Sequence, residues 1–383
     1  MIVINNTADK IITELLDRID KTYTEQRKAK IRSRMNAFWD GEYPADRMPY
    51  TILDLAFDLE IPESITGFDR ELILQLHSIA KHGEIYDDEY YPALTPGVRQ
   101  VVLPSYFGCI EEHASDSVKV KSIISEPEDV YTLPEVGFTK ESAGGEMLEK
   151  IRYWREKTNG RIAFYIADMQ GPFSVASQVY GIEEFLFSCY ENPEEVHHLI
   201  NKCTDVFIKF MDEMFNIVGE DLVTIHSLPC LYLSQEKGIA FSEDLVAVIS
   251  PGIVKEFINP YAERIAKKYK GIVIHTCGAM NYVIDALMEI PGLIGVNFST
   301  CETDLEDMAE KIRDKIIIVS HNGPITTGIL PLLNPLEHVE HMGNLLRKYN
   351  VNGYTIVINH VNTPEDKKFT PGMENVVREL LRA

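Results

Sequence analysis

The chain contains no apolar run that approaches the roughly 18 residues needed to cross a membrane. Residues 1–30 have acidic side chains scattered through them and lack an apolar core with a small-residue cleavage site, so we expect no secretory signal. Basic residues are also scarce, because 37 Lys and Arg face 59 Asp and Glu, for a formal net charge of -22. An acidic excess of this size disfavours nucleic acid and other polyanions as partners. These absences predict a cytoplasmic protein that binds neither membranes nor nucleic acid.

Cysteine is sparse as well, and its spacing argues against a disulfide framework. The six cysteines are spread over 383 residues without short paired spacings: Cys109, Cys189, Cys203, Cys230, Cys277 and Cys301. We therefore expect reduced thiols. The length of the chain, 383 residues, exceeds the usual size of a single domain unless the chain forms a barrel. Barrel domains often run past 250 residues as one unit.

The organisation of the chain changes along its length. Residues 1–90 have a helical and acidic pattern, which predicts a helical N-terminal extension. Beyond residue 160, short runs rich in Val and Ile alternate with longer helical stretches, as in a parallel sheet with crossover helices. The runs are Arg161–Asp168, Asp221–His226, Gly271–His275, Gly292–Phe298, Lys315–Ser320 and Gly353–Asn359. With room for two earlier strands, this α/β pattern predicts a distorted (β/α)8 barrel over residues 91–383, with an open doubly wound sheet as the alternative.

One of these strands places a histidine and a cysteine side by side. His275 ends the run that begins at Gly271, and Cys277 follows two residues later, so both side chains can face one ion. Gly278 then lets the backbone turn away. Zinc favours mixed nitrogen and sulfur ligands, and a catalytic zinc takes three protein ligands and leaves a fourth position open. For an isolated pair, a hydrogen-bonded core histidine and a buried thiol are the more common explanation, so the context of the pair must decide.

Polar side chains at the other strand ends would share the same barrel mouth. They are Asp168 with Gln170, His226, Asn297, His321 with Asn322, and Asn359 with His360. Each alone is explained by capping a helix or bonding a loop, but their repetition favours a site. His360 is the preferred third metal ligand, with Cys301, Glu302 and Asp304 as alternatives, and a neutral polar pocket without metal is the remaining reading.

A series of motifs follows one order along most of the chain. The series is Asp46-Arg47-Met-Pro49, Asp168-Met-Gln-Gly171-Pro172, Glu243-Asp244-Leu, Ile249-Ser-Pro251, Phe257 to Arg264, His275-Thr-Cys277-Gly278, His321-Asn322-Gly-Pro324, Asn359-His360 and Glu374-Asn375-Val. In order and spacing it resembles the uroporphyrinogen decarboxylase superfamily and, within it, the zinc-dependent methyltransferases linked to corrinoid proteins. The resemblance implies a distorted (β/α)8 barrel.

Differences from the true decarboxylases favour the methyltransferase branch. Those decarboxylases resemble the chain at its last strand but grip a polycarboxylate with an arginine-rich motif, whereas the corresponding region here offers Arg47 and then Pro49-Tyr50-Thr51. The methyltransferases bind zinc through His-x-Cys and a distant Cys near the end of the last strand. This chain matches the first two and has His360 where that Cys is expected. The resemblance therefore implies zinc at His275, Cys277 and His360.

The resemblance also implies a mechanism. Zinc would act on the heteroatom that bears the methyl group of a small methoxylated compound, such as an aromatic ether, or of a methylated one, while a corrinoid protein docks at the barrel mouth. Asp168 and His226 are assigned catalytic roles as proton donors or orienting residues, and cofactor binding is assigned to Asn297, His321 and Asn322.

Two other functions stay open at this point. One is a metal-free decarboxylase that uses Asp168 and His360 as acid and base. The other is a catalytically idle barrel that serves as a carrier or scaffold by binding a tetrapyrrole or a corrinoid protein.

Overall fold

The computed structural model describes residues 7–42, 46–53, 59–97, 99–114, 117–226, 229–322, 330, 335–349, 351 and 353–359. The first half of the chain forms α1 Thr7–Thr22, α2 Glu25–Trp39, β1 Tyr50–Leu53, α3 Gly67–Ile85, β2 Ala93–Leu94, β3 Glu111–Ala114, β4 Ser117–Val120, α4 Ala143–Lys157, β5 Ala163–Tyr165, α5 Pro172–Tyr180 and α6 Ile182–Glu191. The second half forms α7 Pro193–Val218, β6 Leu222–Val223, β7 Ile239–Ser242, α8 Pro251–Ile253, α9 Asn259–Tyr269, β8 Ile272–His275, α10 Ile284–Leu287, β9 Leu293–Ser299, α11 Leu305–Ile312, β10 Ile317–His321, α12 Pro335–Tyr349 and β11 Tyr354–Asn359. Among the helices described, none is long and apolar enough to cross a bilayer.

The strands form a parallel arrangement in two sheets. One sheet has six strands in the order β1-β11-β10-β9-β8-β7, and the other has three in the order β2-β5-β6. On one side the backbone N–H of Ala240 donates to the carbonyl of Thr224, and Gln170 bridges Ser242, so the two sheets follow one another without a continuous ladder. The antiparallel pair β3 and β4 stands apart. The expectation of a distorted (β/α)8 barrel is confirmed, and the strands from 161 to 359 alternate with helices except at β6 and β7, between which the described residues form no helix.

Strand sequences of this kind fold between two apolar layers. Ile272, Val273 and Ile274 of β8 are all fully buried, as expected for a parallel strand covered on both faces. The longest helix, α7, begins with Pro193 at its first position and buries an apolar stripe that includes Phe207 and Phe210. The polar residues at the strand ends are therefore held by a tightly packed support.

Two strands of the main sheet were not predicted. β1 lies within the first 90 residues, which were expected to be helical, and it pairs in parallel with β11. The division of the chain at residue 90 stays a prediction. The structure adds β1 to the helices of the first 90 residues. β7 is the other addition, and it ends next to the His-x-Cys motif.

Candidate metal centre and active site

Three neighbouring strands deliver the site residues at the same level. Ser242 of β7 is the register partner of His275 on β8, and His275 is in turn the partner of Asn297 on β9. All three lie at or near the C-terminal ends of parallel strands, the end where barrels of this kind carry their active sites.

A hydrogen-bond chain fixes the tautomer of His275. The side-chain nitrogen of Asn297 donates to the carbonyl of Val319 at 2.8 Å, so the amide oxygen of Asn297 faces His275, 2.7 Å from Nδ1. Because that oxygen can only accept, His275 donates from Nδ1, and in the neutral ring the lone pair is on Nε2. An imidazole held in this way is arranged as metal-binding histidines are. The structure thus places Asn297 behind His275, and its assignment to cofactor binding stays a prediction.

The free nitrogen of His275 faces two further ligand atoms. Nε2 lies 3.3 Å from Sγ of Cys277, and the ligand atoms of Asp244, His275 and Cys277 all lie within 4.8 Å of one another. Zinc bonds of about 2.0–2.3 Å in tetrahedral geometry separate a nitrogen and a sulfur ligand by roughly 3.5 Å. Nitrogen, sulfur and carboxylate oxygen are all ligands that zinc accepts. The three residues therefore fit a zinc ion.

The backbone after Cys277 is shaped around this cluster. Asp244 Oδ1 accepts a hydrogen bond from the backbone N–H of Cys277 at 2.7 Å, and Glu302 accepts one from the backbone N–H of Gly278 at 3.0 Å. Gly278 has a φ of 127°, and a Cβ there would lie 2.6 Å from the Cβ of Ala247. The turn therefore requires glycine, as the sequence predicted.

The electrostatic surroundings of Cys277 favour a cation. Burial raises the pKa of the Cys277 thiol, and the nearby carboxylates of Asp244, Glu302 and Asp168 raise it further. A divalent cation at this point would offset those negative charges and stabilise the thiolate.

The structure brings in Asp244 where the sequence favoured another third ligand. His360 lies outside the described residues, so its assignment stays a prediction. Of the alternatives, Cys301 points its thiol at the carbonyl of Asn322, 3.7 Å away, and Asp304 accepts from the backbone N–H of Asp307 at the start of α11. Glu302 accepts from the backbone N–H of Gly278 and does not belong to the group of ligand atoms that converge at Asp244, His275 and Cys277. The missed signal was the acidic pair Glu243-Asp244 directly after the short apolar run of β7.

Two further histidines flank His275. The ring of His226 meets that of His275 edge to face with centroids 5.0 Å apart, and the ring of His321 stacks on it at 6.2 Å. Both are buried, and neither ring nitrogen of either residue has a hydrogen-bond partner among the residues that the structure describes. Burial, and next the proximity of His275, lower the pKa of each well below its ordinary value.

The remaining predicted residues lie around the same end of the sheet. Asp168 accepts a hydrogen bond from the hydroxyl of Ser242 at 2.9 Å, and burial raises its pKa. Asn322 is buried beside Cys301. The structure thus brings Asp168 and His226 near the histidine and cysteine pair, and their catalytic roles stay predictions.

Glu243 anchors the end of β7 to the next helix. Its carboxylate accepts from the backbone N–H groups of Phe173 and Ser174 and from the Ser174 hydroxyl, and thereby caps the N-terminus of α5. A Cβ at Gly171 would overlap this carboxylate, which explains the glycine in the Asp168 to Pro172 motif. Burial raises the pKa of Glu243 to about 7. Glu243 thus holds its neighbour Asp244 in place.

A cavity of about 480 Å³ opens beside the cluster. The half-buried Asp244 and Gln170 line it, and Gln170 donates to Asp244 at 2.9 Å. Its lining also includes the exposed residues Glu183, Glu184 and Lys119. The cavity gives a small molecule access to the acidic side of the cluster.

Comparisons with known proteins bear on the family and the fold of the chain. A model of the family "Uroporphyrinogen decarboxylase (URO-D)" matches residues 101–356. No curated protein sequence matches the chain. A solved structure, a methyltransferase from Methanosarcina mazei, is similar with a TM-score of 0.60 over 92% of this chain and 99% of that one, at 17% sequence identity. At this identity the likeness concerns the fold.

Proposed function

The chain belongs to the uroporphyrinogen decarboxylase (URO-D) family, and from that premise we propose that it is a zinc-dependent methyltransferase linked to a corrinoid protein. The methyl group would come from a small methoxylated compound, such as an aromatic ether, or from a methylated one. The observation that carries this proposal is the cluster of Asp244, His275 and Cys277, in which Nε2 of His275 is directed at the Cys277 sulfur.

Zinc bound by this cluster would supply a Lewis acid to the heteroatom that bears the methyl group. Asn297 orients His275, and Asp244 and Glu302 hold the backbone at Cys277 and Gly278, so the ligand atoms are in position before a metal arrives. The third protein ligand is Asp244 or His360, and the variants below separate them.

His226 and Asp168 would act on the substrate rather than on the metal. The lowered pKa of His226 keeps its imidazole neutral at pH 7, so it would orient the substrate by a hydrogen bond rather than protonate it as an imidazolium. Asp168 has a raised pKa because of burial, which suits it better to proton transfer.

The corrinoid partner would accept the methyl group at the barrel mouth, and it carries the hard chemistry of the transfer. Two observations support methyl transfer: the family, and the fold shared with the Methanosarcina mazei methyltransferase. Decarboxylation of a polycarboxylate has less support, because Arg47 donates to Glu89 at 2.6 Å, beside the first residue of β1, rather than facing the strand ends.

The first experiment is metal analysis of the protein purified without chelator. We expect about one zinc per chain, lost in His275→Ala and Cys277→Ala. Cys189→Ala is the matched control, because this buried cysteine lies on α6 and should leave the zinc content unchanged. Asp244→Asn and His360→Asn, compared by zinc affinity, identify the third ligand as the one whose loss weakens binding at least tenfold.

The same proteins are then assayed for methyl transfer to a reduced corrinoid protein from methoxylated and methylated donors. We expect transfer by the wild type and by Cys189→Ala, and at least a thousandfold loss in His275→Ala. A wild type that takes up no zinc, even when zinc is added, would contradict the proposal and direct the work to decarboxylase assays.

A further inference from the structure

The two aspartates beside the histidine and cysteine pair have neutral partners. Asp244 accepts from the backbone N–H of Cys277 and from Gln170, and Asp168 accepts from the hydroxyl of Ser242. No Lys or Arg of the described residues forms an ion pair with either carboxylate. A negative charge that entered this site would lose its water without meeting a cation from this part of the chain.

The approach to the site is acidic too. Of the described residues that line the cavity, Glu183, Glu184 and Asp244 are acidic and Lys119 is the one cation. Lys119 is exposed on β4, whereas Gln170 and Asp244 are half-buried. The described lining therefore provides little positive charge to offset the negative charge of a carboxylated ligand.

The buried imidazoles, by contrast, offer unused hydrogen bonds. His226 is 1% exposed and His321 is 0% exposed, and all four ring nitrogens are without a partner in the described part of the chain. A neutral imidazole carries one donor and one acceptor. Buried polar groups are rarely left unpaired, so two such rings around His275 point to a ligand that pairs with them.

On the basis of the proposed function, we infer that the methyl donor is an uncharged compound that carries a hydroxyl group, and that carboxylated analogues are rejected. A hydroxyl group both donates and accepts, which matches the needs of His226 and His321. A zinc ion held by the Cys277 thiolate and the Asp244 carboxylate would have its two charges balanced, so it would provide no spare positive charge for a carboxylate.

Calorimetry tests this inference by measuring the binding affinity of three matched donors for the zinc-loaded and the metal-free protein. The donors are 2-methoxyphenol, methoxybenzene, which lacks the hydroxyl group, and 4-hydroxy-3-methoxybenzoate, which adds a carboxylate. We expect methoxybenzene to bind about fivefold more weakly than 2-methoxyphenol, as for one lost hydrogen bond. The benzoate should bind at least about tenfold more weakly than 2-methoxyphenol. Equal or tighter binding of the benzoate, or no effect of the hydroxyl group, would overturn the inference.

Variants assign the two preferences to residues. His226→Phe and His321→Phe should reduce the preference for the hydroxyl group, and Asp168→Asn should reduce the rejection of the carboxylate. Glu191→Gln removes one acidic charge from the same helix as Glu184, outside the cavity lining, and should change neither ratio. Unaltered ratios in all three site variants would count against the inference, because each ratio compares two ligands on one protein and is insensitive to a general loss of folded protein.

Binding and transfer distinguish this inference from the proposed function. Preferential binding of 2-methoxyphenol without methyl transfer from any donor would support the inferred ligand class and contradict the proposed function. Transfer from methylated donors, with no binding of the three compounds above, would support the function and overturn the inference.

Discussion

Two buried clusters of histidine and carboxylate differ in how completely their polar atoms are bonded. Beside β1, His82 contacts Tyr23 through Nδ1 at 2.8 Å and donates to the carbonyl of Ile52 at 2.9 Å. Glu89, in the same region, accepts from Arg47 and from the backbone N–H of Tyr50. At the C-terminal ends of the strands, His226 and His321 use none of their ring nitrogens among the described residues.

This difference separates a structural role from a functional one. A buried polar cluster whose donors and acceptors are all matched stabilises one conformation and leaves nothing over for a ligand. Buried imidazoles without partners cost folding free energy, and such a cost is typical of a site that a ligand completes. His275 lies between the two cases, because Nδ1 is bonded to Asn297 and Nε2 is directed at Cys277.

The largest expected loss of stability follows from replacing Arg47 in the cluster beside β1. Its guanidinium lies 2.6 Å from the buried carboxylate of Glu89, so Arg47→Met leaves Glu89 with Arg34 as its remaining ion-pair partner. A buried charge that loses its partner typically costs about 3–5 kcal/mol, and because Arg34 remains beside Glu89 we expect the lower value here, about 3 kcal/mol. We expect the free energy of unfolding in urea to fall by about this amount, while zinc content per folded chain stays unchanged.

The control for Arg47→Met is a pair at the surface. Arg18 and Glu84 are each 33% exposed, and the loss of a pair of this kind changes stability by less than about 1 kcal/mol. If Arg18→Met were as destabilising as Arg47→Met, burial of the ion pair would not be what makes the cluster beside β1 important.

A matched pair of histidine variants sharpens the comparison. His82→Leu would leave the hydroxyl of Tyr23 and the carbonyl of Ile52 without their partner, at a cost of about 2–3 kcal/mol. His226→Leu removes a buried imidazole that has no described partner, so we expect unfolding free energy to stay within about 1 kcal/mol of the wild type, while methyl transfer falls. Urea unfolding of both variants checks this, and similar losses in the two would refute the distinction between the clusters.

The sequence predicted the barrel from the alternation of apolar runs and helices, since buried parallel strands read as continuous Val and Ile runs. β8 was predicted almost to the residue, as Gly271–His275 against Ile272–His275. β1 and β7 were missed for a physical reason. Neither is a continuous Val and Ile run, since their sequences are Tyr50-Thr-Ile-Leu53 and Ile239-Ala-Phe-Ser242, and such mixed strands are specified by their neighbours in the sheet more than by their own composition.

The same limit applies to the site. The spacing of His275 and Cys277 predicted their convergence from strand geometry, and the structure retains it although β8 ends at His275 and Cys277 lies in the bend that follows. The position of Asp244 as a candidate metal ligand could not be predicted from spacing, because it depends on β7 lying next to β8 in the sheet. Likewise, Asn297 was predicted as a polar strand end, but its hydrogen bond to His275 needs the register between β8 and β9. The register between strands that are distant along the chain cannot be predicted from a single amino-acid sequence.

The smallest effect concerns His338 of α12, which stands between the two cases. Its Nδ1 lies 3.5 Å from the hydroxyl of Thr300, and its Nε2 has no partner among the described residues. Burial, and then His341, lower the pKa of His338 to about 3, against 6.5 for an exposed histidine. A lowered pKa means that the unfolded chain binds the proton first, so the stability contributed by His338 is present above pH 6.5 and is lost as the pH falls.

Between pH 6.5 and 5.5 the free energy of unfolding of the wild type should therefore fall by about 1 kcal/mol more than that of His338→Gln. Urea unfolding at both values measures the difference, and the two proteins should change in parallel between pH 7.5 and 8.5. Equal losses on acidification would show that the half-bonded imidazole of His338 is protonated without cost, and burial without partners would then be no guide to which histidines of this chain await a ligand.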